Sequence, residues 1–327
     1  MNTSRSRTAA VSVAAVSLAA LLVSTQAAAQ NYPTKPIRVI VPYPPGGTSD
    51  ILTRLVGAKL TEAWGQQILA DNRTGAGGNI GAELMVRAAP DGYTLMLTDI
   101  GNLVTSTILY AKLPFDLLRD FAPVVTVSYS PHLLAVHPSV PVKTVKELVA
   151  LAKSKPGKLN YAAGLGGTPH LAGLMFAQRT GINWVYIPTK GGAATSYAVA
   201  TGDADVLFLG ILQTLTHISS GKLKLIASSS AQRLSNLPDT PTVAESLPGF
   251  VTGSWQGILA PARTPPDVIA KLNNEVARGL TLNDVREVLT SQGTTPLATG
   301  PQETGRWLTE EKERWTKVVK ESGFKLE

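Results

Sequence analysis

Two glycine-rich loops, residues 42–50 and 163–170, have the composition expected of an anion-binding site. Each loop follows a short apolar segment and precedes a segment with helical periodicity, which begins near Thr48 in the first loop and at Thr168 in the second. Glycine lets a ligand approach the backbone closely, and the free N–H groups of a helix N-terminus attract an anion. Either loop alone is compatible with an ordinary β–α turn, but one loop in each half of the chain favours a paired carboxylate site.

Charged residues near two later strands are weaker candidates for ligand binding. Lys190 opens the turn Lys190-Gly191-Gly192, where it either adds positive charge to an anion site or is simply a solvated turn residue. Asp203 and Asp205 precede another predicted strand, and each is either an acceptor for a ligand hydroxyl or ammonium group or a turn residue.

Patterns typical of catalysis, metals or cofactors are missing from the sequence. The four histidines lack zinc-site spacing, there is no cysteine, and no G-x-S-x-G segment is present to seat a serine nucleophile. Residues 75–81 read G-x-G-x-x-x-G rather than the dinucleotide fingerprint and are interpreted as a tight loop. The sequence therefore predicts no enzyme, no cofactor and no metal site. Among the four histidines, only His170, just after the second glycine-rich loop, is a candidate ligand contact.

The elements that must position these loops alternate between strand and helix, which predicts mostly parallel sheets covered on both faces. Ligands of such sheets bind outside the carboxyl ends of the strands, where both glycine-rich loops lie. Predicted strands cover residues 37–41, 67–70, 93–98, 122–127, 133–136, 159–162, 184–187, 206–209, 223–227 and 257–260. Predicted helices cover residues 48–64, 79–88, 142–153, 168–179, 193–200, 266–279, 284–291 and 301–320.

The N-terminal segment predicts export. Arg5 and Arg7 precede an apolar run at 9–23, and small residues at 27–29 suit a signal-peptidase site, which makes Gln30 the first mature residue. A transmembrane anchor is the alternative, but the apolar run is shorter than the roughly 20 residues that span a bilayer. A disulfide-free exported chain of this size suits a bacterial periplasm.

Chain length and charge narrow the architecture and the partners. A mature chain of about 300 residues is long for one core, so two lobes are expected. Candidate crossings near residues 126–131 and 227–230 divide it into lobe 1, residues 30–126 plus 228–327, and lobe 2, residues 127–227. The net charge of +7 is spread out, without basic clusters and interleaved aromatics, so nucleic acid is not an expected partner.

The ordered motifs of the mature chain resemble the Bug family, the solute-binding receptors of tripartite tricarboxylate transport systems. The resemblance implies a two-lobed, type II periplasmic-binding-protein fold with a central ligand cleft. It also implies a monomer that binds a small organic acid and passes it to transporter membrane subunits or to a membrane sensor. The matching blocks are residues 32–36, 41–50, 72–73, 75–81, 90–95, 113–116, 120–123, 163–164, 167–170, 190–192, 254–257, 261–265, 272–273 and Trp315.

The same resemblance implies which residues contact the ligand, a di- or tricarboxylate, an acidic amino acid or an aromatic acid. Backbone amides and waters of the two loops would hold a carboxylate, with residues 98–102 and Asp205 contributing from the cleft walls. Two positions depart from the family pattern: Thr189 replaces a common Tyr, and Asp99 either selects a positive or hydroxyl group or points away. An exported enzyme using the same cleft remains the alternative function. The full set of candidates is Tyr43, Gly46, Gly47, Thr48, Asp50, Thr98, Asp99, Asn102, Gly164, Gly167, Thr168, His170, Thr189, Lys190 and Asp205.

Overall fold

Strands and helices alternate along the chain, as the apolar periodicity predicts. The structure is a computed structural model that describes residues 32–291 and 293–324; the predicted signal peptide, residues 1–29, lies outside the described residues. The first elements are β1 (Ile37–Val41), α1 (Thr48–Trp64), β2 (Ile68–Asn72), α2 (Asn79–Val86), β3 (Thr94–Asp99), α3 (Ile100–Leu109) and β4 (Phe121–Val136). The next are α4 (Val145–Ser154), β5 (Asn160–Gly164), α5 (Thr168–Thr180), β6 (Val185–Thr189), α6 (Gly192–Ala200), β7 (Val206–Gly210) and α7 (Ile211–Ser219). The last are β8 (Lys224–Ser228), β9 (Gly253–Pro261), α8 (Pro266–Thr281), α9 (Asn283–Ser291), β10 (Thr295–Pro296) and α10 (Pro301–Ser322).

Two sheet regions share the long strand β4. The first has the order β2-β1-β3-β9-β4, in which β2, β1 and β3 are parallel and β9 is antiparallel to both of its neighbours. The second has the order β6-β5-β7-β4-β8, in which β5 is parallel to β6 and β7. Residues 121–131 of β4 pair with β9, whereas residues 132–136 pair with β7 and β8. The strand therefore runs from one lobe into the other.

The continuity of β4 corrects the prediction of separate strands at 122–127 and 133–136. Pro131 lies in the gap between the two predicted strands and suggests a break, because proline lacks the N–H group needed for a strand ladder. In the structure Pro131 pairs with Gly253 of β9, and the register of this pairing shifts earlier, between Pro123 and Val125 and between Thr126 and Ser128. Such bulges let one strand bend while its pairing continues on both sides.

Helices α3 and α7 are absent from the sequence prediction. Each begins at the residue that directly follows a strand: Ile100 follows Asp99, and Ile211 follows Gly210. Neither junction contains a loop segment, so a run of apolar and small residues there does not separate strand from helix.

The C-terminal helix α10 ties the two halves together. It contacts α3 and β4 as well as α5 of the second lobe. Trp315 is fully buried, and its Nε1 donates to Glu311 Oε2 over 2.7 Å, so the indole is packed without losing its polar partner. In the described residues, no helix combines the length and apolar character needed to cross a membrane.

Candidate ligand-binding site

Four helices begin at the carboxyl ends of strands, and in each of them the N-cap residue supplies no side-chain hydrogen bond to the first turn. Their N-cap residues are Gly47 before α1, Gly167 before α5, Gly191 before α6 and Gly210 before α7. A glycine N-cap has no side-chain oxygen to accept from the first turn. The Thr168 N–H donates to Asn102 instead, and the other first-turn donors are left to a ligand or water. Together with the helix dipoles, they make the edge between the lobes attractive to an anion.

The first glycine-rich loop is held in shape by Asp50. Its Oδ2 accepts from the Gly46 N–H at 3.0 Å, and its Oδ1 accepts from Arg54 at 3.0 Å and Asn72 at 3.1 Å. Asn72 also donates to the Tyr43 carbonyl oxygen over 3.0 Å. Burial alone would raise the pKa of Asp50, but the hydrogen bonds from Arg54, Gly46 and Asn72 outweigh it and hold the pKa below its ordinary value. The Asp50 carboxylate thus supports the loop.

Asn102 of α3 bridges the two loops. Its Oδ1 accepts from the Thr168 N–H at 2.8 Å, and its Nδ2 donates to the Tyr43 hydroxyl at 3.3 Å. One turn further along α3, Thr105 donates to the Gly166 carbonyl oxygen at 2.7 Å. Burial, with a contribution from the charge of Asp99, raises the pKa of Tyr43 to about 12, so its hydroxyl stays protonated. These contacts hold the second loop against the first lobe.

His170 supports its loop from beneath. Its Nδ1 accepts from the Gly166 N–H at 3.3 Å, and its ring lies 4.3 Å from Tyr186 and 4.5 Å from Phe324, centroid to centroid. The side chain is buried, and burial lowers its pKa to about 4, so the imidazole is neutral. The structure therefore places His170 beneath the loop, where it supports the loop through Gly166.

Asp99 caps α3 and is enclosed by hydrogen bonds. Its Oδ1 accepts from the Gly101 N–H at 2.9 Å, and its Oδ2 accepts from the Ser254 hydroxyl at 2.7 Å. Gln256 donates to Ser254 over 2.8 Å and accepts from Ser49 of α1 over 2.6 Å. Burial raises the pKa of Asp99 to about 6. Of the two alternatives left open by the sequence, this geometry favours the one in which Asp99 does not face a ligand.

The edge of the second lobe carries Thr189, Lys190 and a residue that the sequence did not single out, Gln213. The hydroxyls of Thr189 and Thr195 are 2.5 Å apart, while Lys190 is exposed. Gln213 Nε2 donates to Thr48 Oγ1 over 3.5 Å, which joins α7 of the second lobe to the start of α1. A polar residue at position 213 indicates a site residue only when helix α7 is known to begin at the edge of the sheet.

Asp205 lies at the other end of its strand. It precedes β7, and its Oδ2 accepts from the Asn160 N–H at 2.7 Å at the start of the parallel strand β5. A five-residue strand is about 17 Å long at roughly 3.3 Å per residue. The structure therefore does not bring Asp205 to the carboxyl edge where Gly164 and Gly210 lie.

The remaining predicted residues meet at one edge of the two sheets. Thr98 is buried at the end of β3, where its hydroxyl lies 3.5 Å from that of Tyr43. The candidates that the structure brings to this edge are Tyr43, Gly46, Gly47, Thr48, Thr98, Asn102, Gly164, Gly167, Thr168, Thr189 and Lys190. In the described part of the chain, no three His, Asp or Glu side chains are grouped as metal ligands would be.

Two α/β lobes joined by a shared strand, with uncapped helix N-termini at the edge between them, define the class of two-lobed solute-binding proteins. The chain belongs to the family described as "Tripartite tricarboxylate transporter family receptor", which matches residues 52–324. The predicted resemblance and the two-lobed, type II periplasmic-binding-protein fold are thereby confirmed. Because the family consists of substrate-binding receptors, the chain is a receptor and not an enzyme.

Similar proteins cover nearly the whole chain. "Protein BugT" of Bordetella pertussis is 34% identical over 319 residues, which is 97% of this chain and 98% of that protein. The structure described as "R. palustris Rpa4515 with adipate" has a TM-score of 0.84 and 34% identity, covering 89% of this chain and 98% of its own. MatC (Rpa3494) of Rhodopseudomonas palustris, solved with bound malate, has a TM-score of 0.79 and 32% identity, covering 88% and 100%.

Proposed function

We propose that this receptor captures a small organic carboxylate between its lobes and delivers it to a tripartite tricarboxylate-type transporter or to a membrane sensor. The observation that carries the proposal is the meeting of uncapped helix N-termini at the edge between the lobes. Two similar structures contain adipate and malate, both small carboxylates. An exported enzyme acting in the same cleft is not favoured by any contact described above.

Backbone amides are the proposed carboxylate ligands. The first intrahelical bond of α1 runs from the Ile51 N–H to the Gly47 carbonyl oxygen, so the amides of Thr48, Ser49 and Asp50 have no partner within the helix. Lys190, exposed at the neighbouring turn, adds a positive charge that strengthens the attraction. An anion held by amides needs few specific side chains, which fits loops that are rich in glycine.

Closure of the cleft would be a hinge motion between lobe 1, residues 30–126 plus 228–327, and lobe 2, residues 127–227. The chain crosses between the sheets along β4 and again after β8. A ligand that contacts both lobes stabilises the closed arrangement by its differential affinity for that state. The hydrogen bonds of Asn102 and Thr105 to the second loop would stabilise the closed arrangement even without a ligand.

Export is part of the proposal. Removal of residues 1–29 as a signal peptide would leave a mature chain beginning at Gln30 in the periplasm, where transporter receptors meet their solutes. Expression of the full chain followed by mass spectrometry of the periplasmic fraction tests this directly. The expected mass corresponds to residues 30–327, and retention of the protein in the membrane fraction would contradict it.

Thermal shift with a panel of acids tests the binding function. Protein from the periplasmic fraction, freed of co-purified ligand by unfolding and refolding, would be heated with mono-, di- and tricarboxylic, acidic amino and aromatic acids. A saturable rise in melting temperature for one class is expected because a ligand that binds only the folded state stabilises it. The absence of a shift with every acid would refute carboxylate binding.

A matched pair of proline variants locates the binding amides. Thr48→Pro removes the first N–H of α1, and Asn283→Pro makes the same change in α9, away from the cleft. Proline is tolerated at the first helical position, and Gly47 and Leu282 already have the extended backbone that proline requires before it. We expect Thr48→Pro alone to weaken binding, by roughly tenfold for a hydrogen bond to a charged group. Equal affinities in the two variants would place the carboxylate elsewhere.

A further inference from the structure

Gln213 lies at the junction between the second lobe and the start of α1. It belongs to the first turn of α7, which begins at the carboxyl end of β7. Its Nε2 donates to Thr48 Oγ1 over 3.5 Å, and the side chain is half-buried. The carboxamide is therefore next to the amides proposed to hold the carboxylate.

Two glycines leave room for the Gln213 side chain. A β-carbon at Gly210 would lie 2.8 Å from Gln213 Oε1, and one at Gly192 would lie 3.2 Å from Gln213 Cγ. Both distances are shorter than ordinary contacts between non-bonded heavy atoms, about 3.5 Å and above. Glycine at these two positions thus allows the side chain to lie along the sheet edge and reach Thr48.

The carboxamide has unused hydrogen-bonding capacity. In the described part of the chain, the contact with Thr48 is the one hydrogen bond that the Gln213 side chain makes. A glutamine amide offers two donors and one acceptor oxygen, so a donor and the acceptor are left over. A solute oxygen could lie about 2.9 Å from both Gln213 Nε2 and Thr48 Oγ1, so it could form hydrogen bonds of ordinary length with both groups.

The chemistry of this position favours a hydroxyl group. A neutral carboxamide does not offset the charge of a second carboxylate, but it can both donate to and accept from a hydroxyl. Thr48 is the first residue of the helix whose amides would bind the carboxylate. A solute atom that contacts the Thr48 and Gln213 side chains would therefore be a substituent on the carbon next to that carboxylate.

We propose that Gln213 is a specificity-determining residue that selects carboxylates with a hydroxyl group on the carbon next to the carboxylate. The inference rests on the proposed function, because it assumes a carboxylate on the first-turn amides of α1. Gly192 and Gly210 act with Gln213 by leaving its carboxamide free to face the solute.

Calorimetric titration with matched acids tests the inference. Malate against succinate and lactate against propionate differ only in the hydroxyl group, and each would be titrated into the wild-type protein and into Gln213→Met. Methionine keeps an unbranched stem of similar length but removes the hydrogen-bonding groups. Gln302→Met is the control, since Gln302 is exposed in the first turn of α10.

The wild-type protein should bind the hydroxy acid of at least one pair about tenfold more tightly, the effect of one good hydrogen bond. Gln213→Met should reduce this preference to less than about threefold while leaving affinity for the unsubstituted acid nearly unchanged. Gln302→Met should keep the wild-type preference. No preference in the wild-type protein, or a preference that survives in Gln213→Met, would overturn the inference while leaving carboxylate binding intact.

A second variant guards against a folding defect in the first. Gln213→Glu preserves the size of the side chain and places a negative charge beside the proposed carboxylate, so both acids of the preferred pair should bind more weakly. Unchanged affinity for both would show that the solute does not approach residue 213 and would overturn the inference. If no acid of any class binds the wild-type protein, the proposed function fails, and this inference fails with it.

Discussion

Replacement of the buried Asp99 by asparagine should change how the stability of the protein depends on pH. Burial raises the pKa of Asp99 to about 6 from its ordinary value of 3.8. Below pH 3.8 the carboxyl group is protonated in both the folded and the unfolded protein, so its burial carries no charge penalty. As pH rises from 3.8 through 6, the unfolded protein releases this proton first, and the free energy of unfolding falls. Above that window the buried carboxylate is a cost to folding.

The size of the effect follows from the width of this window. A difference of about two pKa units corresponds to about 3 kcal/mol at about 1.4 kcal/mol per unit. Asparagine caps helices about as well as aspartate, so the bonds to the first turn of α3 should survive. The Ser254 hydroxyl loses its acceptor at Oδ2, which costs about 1 kcal/mol. Asp99→Asn should therefore be slightly destabilising at pH 4 and stabilising by about 2 kcal/mol near pH 7.5.

Urea unfolding of wild type and Asp99→Asn from pH 4 to pH 8 measures the difference directly. Terms from other titrating groups, including the buried histidines, occur in both proteins and cancel in the difference. Asp120→Asn is the control with the opposite sign, because the hydrogen bonds of Arg119 and of the Asp116 N–H lower the pKa of Asp120 to about 2. A difference curve for Asp99→Asn that is flat or falls between pH 4 and pH 7 would refute the reasoning.

Three further substitutions test other contacts. Without ligand, Asn102→Ala should separate the two lobes more than wild type, because the variant loses the hydrogen bond from the Thr168 N–H. Small-angle scattering should then give a larger radius of gyration than for wild type, and an equal radius would contradict this. Gly173→Ala should lower the free energy of unfolding by about 1–3 kcal/mol, since a β-carbon would lie 2.3 Å from Cε1 of Tyr161; unchanged urea unfolding would contradict it. His170→Gln should reduce acid sensitivity, because burial lowers the histidine pKa to about 4 and its stabilising contribution, present above pH 6.5, is lost as pH falls through 4. Identical acid-unfolding midpoints for the two proteins would count against that.

The parts of the fold with strong local signals were predictable from the sequence. Helices α1 and α5 each follow a glycine-rich loop and begin at a threonine, so their starts at Thr48 and Thr168 agree with the prediction. The helices α3 and α7 were missed because strand passes into helix without an intervening loop. The continuous strand β4 was missed because Pro131 suggests a break, although the pairing with β9 continues through that residue.

The candidate site was predictable only where the ligand-binding groups belong to the backbone. The glycine-rich loops predict exposed amides at the starts of α1 and α5, although the N-caps are Gly47 and Gly167 and not the expected Thr48 or Ser49 and Thr168. The partners of a side chain, in contrast, depend on strand register. The family resemblance places Asp205 in the cleft wall, but the parallel pairing of β5 with β7 puts it at the amino edge of the sheet. Gln213 is 165 residues from Thr48 in the sequence, so no local pattern connects the two.

A crystal structure of the refolded protein with the acid that gives the largest thermal shift tests the central claim most directly. We predict a ligand carboxylate between the lobes, with its oxygens about 2.7–3.2 Å from the first-turn N–H groups of α1. A carboxylate bound elsewhere, with those amides occupied by water alone, would contradict the claim that uncapped helix N-termini form the binding site.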